Sequence, residues 1–409
     1  MRFPKPNEFV RSFSAAVVVG VSCGIALFAF EGAVHRVERV VYEWLPERLE
    51  VDDITGWYSI VVLTVAGLLV GLVLRFAPGH GGHDPATEGL FGEPLPLGSV
   101  PGLVGAALIT LGAGVSLGPE APLLGSATAV LAFVAHRRGT SGEGLVMLGA
   151  AAMLGALFGA PIGAAFAFLE MMPSTGKALF DRFVPLLVAA TSGALTVTLI
   201  AARPRLFAPF PPARDFMIVD VLSAAALGAL GALVGLLFFP LVRTLYSAAR
   251  RLPVIVRLAA GGLALGVIAA IVGDLVLFSG QQELPLLVTD AETMSNGRLA
   301  LLSAGKFLSL ALAVAVGFRG GRIFPAVFTG VALGVLVHAL VPGIPMVLAA
   351  GSVTTGLVLA FTRLWVLTLL MVALIVGLSV TPLLGVAAVA AHVLLKDRPE
   401  LRPAPAHPT

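Results

Sequence analysis

A single carboxylate stands inside an apolar stretch of this chain with a proline close on either side. Residues 114–125 read GVSLGPEAPLLG, and Glu120 lies between Pro119 and Pro122, two residues after Gly118. Apolar runs flank it at 100–111 and 123–134. A glutamate left bare at lipid depth costs at least about 3 kcal/mol, so it faces a cavity or a partner. Glycine followed by proline ends one segment and starts a helix, because proline's missing N–H is not needed in a first turn. Glu120 is therefore expected in the first turn of a new helix, beside unpaired backbone N–H groups and the positive end of the dipole. Such a helix start attracts anions. Two roles are open for Glu120: it caps the helix, or it competes with an anion for the same place.

The surroundings are those of a membrane protein. Of 409 residues, 58% are hydrophobic and 12% charged, against about 25% charged in soluble domains, and the mean hydropathy is +0.99. The net charge of +3 comes from a small excess over few charges, so nucleic acid is not an expected partner; the lipid bilayer is. Cys23 is the single cysteine, which leaves no intrachain disulfide and no cysteine-based metal site. No nucleophile set, metal set or cofactor fingerprint stands out, so neither an enzyme nor a cofactor or metal is expected. A non-conducting scaffold would give no reason for intramembrane Glu120 and Arg322.

Arg2, Lys5 and Arg11 precede an apolar run at 14–30 that is too long for a signal core. It reads as a first span with a cytoplasmic N-terminus. The segment 35–53, with three arginines against six acidic residues, is expected as an outside loop by the positive-inside rule. A second span follows at 57–76. The glycine-rich break at 78–85 contains His80, His83 and Asp84, but nothing elsewhere completes a metal shell. A tight loop whose N–H groups line a pore is the preferred reading. Further apolar runs lie at 145–169, broken by Pro161, and at 183–200. A proline-rich linker at 203–215 is followed by runs at 217–242, 254–278, 299–316, 326–340, 346–361 and 364–395, the last broken at Thr381 and Pro382. Lys306 sits inside one of them, and Gly317, Gly320 and Gly321 break the chain before Arg322 and Pro325. Glycine breaks with a proline in the next turn thus occur in both 14–202 and 216–395, and weak symmetry of broken helices is the sequence signature of an inverted repeat with its site near mid-membrane. The proline-rich tail at 396–409 is expected to carry no folded domain.

Three motifs in order, GPEAP at 118–122, GAPIGAAFAFLE at 159–170 and KFLSLALAVAVGFRGGRIFP at 306–325, resemble those of the CLC chloride channel and transporter family. The resemblance implies an all-α polytopic membrane protein with an inverted-repeat fold of about eighteen helices, many tilted or broken. It implies a homodimer with one ion pathway per subunit, in the plasma membrane of a prokaryote and without cytoplasmic regulatory domains. The implied activity is transport of an anion, chloride first, with fluoride or another small anion as the alternative. Carried over position by position, Glu120 is the gate. Gly81, Gly82, Gly118, Pro119, Ala121, Pro122, Gly321, Arg322, Ile323, Phe324 and Pro325 are the anion-binding segments, and Glu170 is a possible station on a proton path. The chain departs from the family pattern in several places. Gly82 stands where a serine is usual, Ala121 for a glycine, Ile323 for an aromatic residue and Leu384 for a tyrosine. Met171 stands where proton-coupled members carry a glutamate, so proton countertransport is expected to be weak or absent. Arg322 is either a structural charge held by a carboxylate or carbonyl, or a source of positive potential on the pathway.

Overall fold

The computed structural model describes residues 6–82, 84–86, 92–139, 142–171, 177–201, 208–211 and 214–398. Among them the chain is helical. The first half contributes α1 (Pro6–Arg39), continued by a π turn at Val40–Trp44, then α2 (Leu45–Leu49), α3 (Trp57–Phe76), α4 (Val100–Gly112), α5 (Glu120–Arg137), α6 (Gly142–Phe158), α7 (Pro161–Met171) and α8 (Lys177–Ala201). The second contributes α9 (Ile218–Ala249), α10 (Val254–Val272), α11 (Glu283–Thr289), α12 (Asn296–Val316), α13 (Ile323–Leu340), α14 (Met346–Thr362), α15 (Trp365–Val376) and α16 (Thr381–Leu395). Four short 3-10 turns link some of them.

Among the described residues, eight helical segments are long and apolar enough to cross a bilayer. Others are not. The 11 residues of α7 reach about 16 Å, roughly half of a hydrocarbon core about 30 Å thick. Helices this short end inside the protein at membrane depth, and their unpaired termini need partners there. The lengths repeat along the chain: α5, α6 and α7 have 18, 17 and 11 residues, and α13, α14 and α15 have 18, 17 and 12. Gly118 and Pro122 bracket the start of α5 as Gly321 and Pro325 bracket the start of α13.

The core lies around α14, which is buried from Met346 to Phe361, as an all-round apolar helix must be. Small residues let its neighbours approach closely. A Cβ added to Gly356 would fall 1.9 Å from the carbonyl oxygen of Gly228 on α9.

Three expectations are corrected. Residues 35–49 are helical rather than loop: between His35 and Pro46 no glycine or proline interrupts the chain, and its charged residues suit a helix. The chain turns only at Glu50, which adopts φ +52°. The break in 364–395 falls at Gly377, with φ +111°, and Pro382 sits in the first turn of α16 instead of ending a helix. The helix expected from 326 begins three residues earlier, at Ile323. His83 lies outside the described residues, as do most of the 203–215 linker and the tail beyond 398.

Candidate functional site

The two glycine breaks meet. Gly118 N–H donates to the Gly321 carbonyl at 2.7 Å, and Gly321 N–H donates back to the Gly118 carbonyl at 2.5 Å, forming an isolated antiparallel bridge. The bridge brings the first turns of α5 and α13 together, as the repeated glycine-and-proline pattern predicts. Glu120, the first residue of α5, is completely buried. Its carboxylate reaches across to α13, where Oε1 accepts the Phe324 N–H at 2.7 Å. Oε2 has no hydrogen-bond partner among the described residues. It occupies space that only glycines leave open: a Cβ on Gly118 or on Gly321 would lie 2.2 or 1.7 Å from it. The seat of the carboxylate is thus a helix N-terminus on one side and two missing side chains on the other.

Two cavities are lined by residues next to Glu120 in the chain. A cavity of about 460 Å³ is lined by Leu117 and Pro119, with Tyr42, Phe278 and the charged groups Glu31, His35, Glu38, Arg39, Glu43 and Glu283. A second, of about 210 Å³, is lined by Ala121 and Pro122, together with Asp84, Arg319, Gly321 and Arg322. The two residues that flank Glu120 in the chain therefore line different cavities, Pro119 the first and Ala121 the second.

The predicted anion-binding residues take distinct places. Pro119 and Arg322 are the N-cap positions of α5 and α13. Ile323, Phe324 and Pro325 form the buried first turn of α13. Gly81 and Gly82 take φ +68° and +76°, and the Gly82 N–H donates to the Gly79 oxygen at 3.0 Å. Their carbonyls, with that of His80, face the guanidinium of Arg319. Arg319 Nε donates to the Gly81 oxygen at 2.8 Å, and Nη2 donates to the Gly82 and His80 oxygens at 3.1 and 3.4 Å. Nη1 donates to the Gly317 oxygen at 3.3 Å. Arg319 is only 7% exposed and lines the second cavity. Sequence reasoning missed it, although a charged residue between two glycines of a break was the available signal.

Glu170 also reaches a helix start. Its Oε2 accepts the Trp365 N–H at 2.6 Å and its Oε1 the Val366 N–H at 2.7 Å, so both oxygens cap α15. Lys306, fully buried, donates from Nζ to the carbonyls of Leu275, Val276, Leu277 and Phe278 at 2.6–3.4 Å. It lies 4.7 Å over the ring of Phe328. Phe278 N–H in turn donates to the Gly114 oxygen at 2.8 Å, so Lys306 holds a wall of the first cavity against the break that precedes Glu120.

Residues 65–396 match the family described as "Voltage gated chloride channel". The chain belongs to the voltage gated chloride channel family. Among its relatives are proteins of Escherichia coli (strain 55989 / EAEC) and Escherichia fergusonii, each named "Putative ion-transport protein YfeO". Both are 34% identical over 98% of this chain and 96% of their own length. The fold resembles the crystal structure of a CLC-type fluoride/proton antiporter, with a TM-score of 0.78 at 20% identity, covering 96% of this chain and 97% of the other. It also resembles a slow cyanobacterial chloride/proton antiporter, with a TM-score of 0.77 at 24% identity and 96% of each chain covered. Membership in the voltage gated chloride channel family makes this an integral, multi-pass membrane protein whose activity is anion transport.

Proposed function

We propose that Glu120 gates an anion pathway running between the two cavities, with chloride as the anion. The observation that carries this reading is the seat of Glu120: a buried carboxylate held by the Phe324 N–H at 2.7 Å, where the first turns of α5 and α13 meet. A desolvated anion needs what this carboxylate already uses, backbone N–H groups at a positive helix end in a water-excluded place. When Glu120 is ionised it fills the seat. When it is protonated or displaced, the seat is free for the anion. Gly118, Pro119, Ala121, Pro122, Gly321, Ile323, Phe324 and Pro325 shape the seat and its two approaches. Arg322 adds positive charge beside the second cavity, and Gly81 and Gly82 act from behind Arg319.

Fluoride is the second reading. Gly82 and Leu384 supply no hydroxyl where the family pattern has serine and tyrosine, and one structure sharing the fold is a fluoride/proton antiporter. Transport needs no chemical step, which fits a protein that is not an enzyme. By analogy with the family the working form is a homodimer in a prokaryotic plasma membrane with the N-terminus in the cytoplasm. The test is efflux from proteoliposomes loaded with chloride, fluoride or nitrate and an internal pH probe, with and without an ionophore. Chloride efflux in wild-type protein that becomes insensitive to pH in Glu120→Gln supports the reading. Fluoride efflux without chloride efflux replaces it with the alternative.

A further inference from the structure

At the ends of α14 and α16, away from Glu120, lies a cavity of about 250 Å³ lined by Arg363, Trp365, His392, Lys396 and Arg398 with two leucines. No carboxylate is among its described lining residues. The span at Leu378–Leu395 ends here, which places the cavity at a membrane–water interface.

The ordinary explanation for these cations is that they complement the C-terminal ends of two helices. That explanation leaves the geometry of Arg363 unaccounted for. Arg363 is the C-cap of α14 and takes the left-handed conformation, φ +59° and ψ +12°, where glycine or asparagine is the usual occupant. A non-glycine residue held there is an outlier that invites a functional reading. Its side chain then locks the cavity. Nη1 donates to the Leu395 oxygen at 2.8 Å and Nη2 to the Arg398 oxygen at 3.4 Å, which fixes the turn carrying Lys396 and Arg398. Trp365 packs against His392 at a tilt of 57° with ring centroids 4.9 Å apart, giving a wall with apolar and polar parts of the kind favoured at the interface. Arg363 from the end of α14, and Lys396 and Arg398 from the turn after α16, thus surround one opening.

The geometry points to a binding site for a phosphate group, supplied by the headgroup of an acidic phospholipid or by soluble phosphate. Basic pockets at the ends of transmembrane helices bind such headgroups, and Lys396 and Arg398 are exposed, so a headgroup reaches them from the bilayer surface.

The test uses the full-length protein in neutral detergent, confirmed monodisperse. Phosphatidylglycerol, phosphatidylcholine and inorganic phosphate are titrated in separate arms, with binding followed by native mass spectrometry and thermal shift. The double substitution Lys396→Gln/Arg398→Gln removes charge at exposed positions, and Lys396→Arg/Arg398→Lys keeps it. The expected result is binding of phosphatidylglycerol in preference to phosphatidylcholine, roughly thirty-fold weaker in the Gln variant, the loss expected for two interfacial basic residues, and restored in the charge-keeping variant. Inorganic phosphate that binds with the same dependence, while phosphatidylglycerol does not discriminate, assigns the site to soluble phosphate. Equal binding of both probes to wild type and Gln variant overturns the proposal.

Discussion

Gly118 and Gly321 hydrogen-bond to each other in both directions, at 2.7 and 2.5 Å, and each stands two residues before the first residue of its helix. The residue that follows the pattern in α5 is Glu120, and its counterpart in α13 is Ile323. Two equivalent helix starts therefore meet back to back, but only one carries a carboxylate. That carboxylate satisfies the other's free N–H at Phe324.

Replacing Glu120 with glutamine removes the charge that holds this contact. Hydrogen bonds to charged groups contribute about 1.5–3 kcal/mol, so the seat is expected to be vacated roughly ten-fold or more readily. Anion flux at neutral pH should rise, and it should no longer increase on acidification. In wild type the proposed gate fixes the sign: protonation would neutralise the carboxylate, so flux is expected to rise as pH falls. Efflux per reconstituted molecule between acidic and neutral pH measures both. A well-folded Glu120→Gln that keeps the wild-type pH profile removes the gate assignment.

Gly321→Ala tests the seat without touching the carboxylate. The new methyl would fall 1.7 Å from Glu120 Oε2, and the bridge to Gly118 keeps the backbone from yielding. The flexible side chain must leave instead. Flux should lose its pH response as in Glu120→Gln, although the glutamate is still present. Gly320→Ala is the contrast, because its methyl would strike Leu117 at 2.5 Å and so should lower stability rather than free the gate.

Glu170→Gln separates a cap from a proton station. A carboxylate accepting two backbone N–H bonds is replaced by a group with one acceptor and one donor facing donors. The expected outcome is a stability loss of about 1–3 kcal/mol, read by thermal unfolding, with proton movement per folded molecule unchanged. Unaltered stability with abolished chloride-driven proton flux would make Glu170 a carrier.

Arg319→Lys keeps the charge and loses the planar fork. One ammonium cannot reproduce the contacts to Gly81, Gly82, His80 and Gly317, so a loss of about 2–3 kcal/mol is expected. Thermal unfolding of the reconstituted variant checks it, and a variant as stable as wild type would show that the loop at 78–82 stands without its clamp.

The breaks around Glu120 and Phe324 were legible because glycine and proline act locally: they end and start helices wherever they occur. The same reasoning placed Glu120 in a first turn. What escaped it depends on partners far along the chain. Glu170 finds its N–H donors 195 and 196 residues away, and Arg319 finds its carbonyls 237–239 residues away. No local pattern announces such pairs. In residues 35–49 the charge balance speaks to topology and not to backbone conformation, so the helix there has no signature in it. At 377–382 the proline is the more conspicuous signal, but it starts α16 while Gly377 makes the break.

The two capping glutamates carry a mechanical consequence. Each belongs to a helix before residue 202 and grips the start of a helix after residue 216: Glu120 holds α13 and Glu170 holds α15. A rocking of one half against the other would tear both grips and pull the Gly118–Gly321 bridge apart at once. A swing of the Glu120 side chain releases one grip and leaves the other, with the bridge, in place. The Glu170 cap and the glycine bridge thus tie the halves together independently of the Glu120 side chain, so the proposed gate needs no displacement of one half against the other.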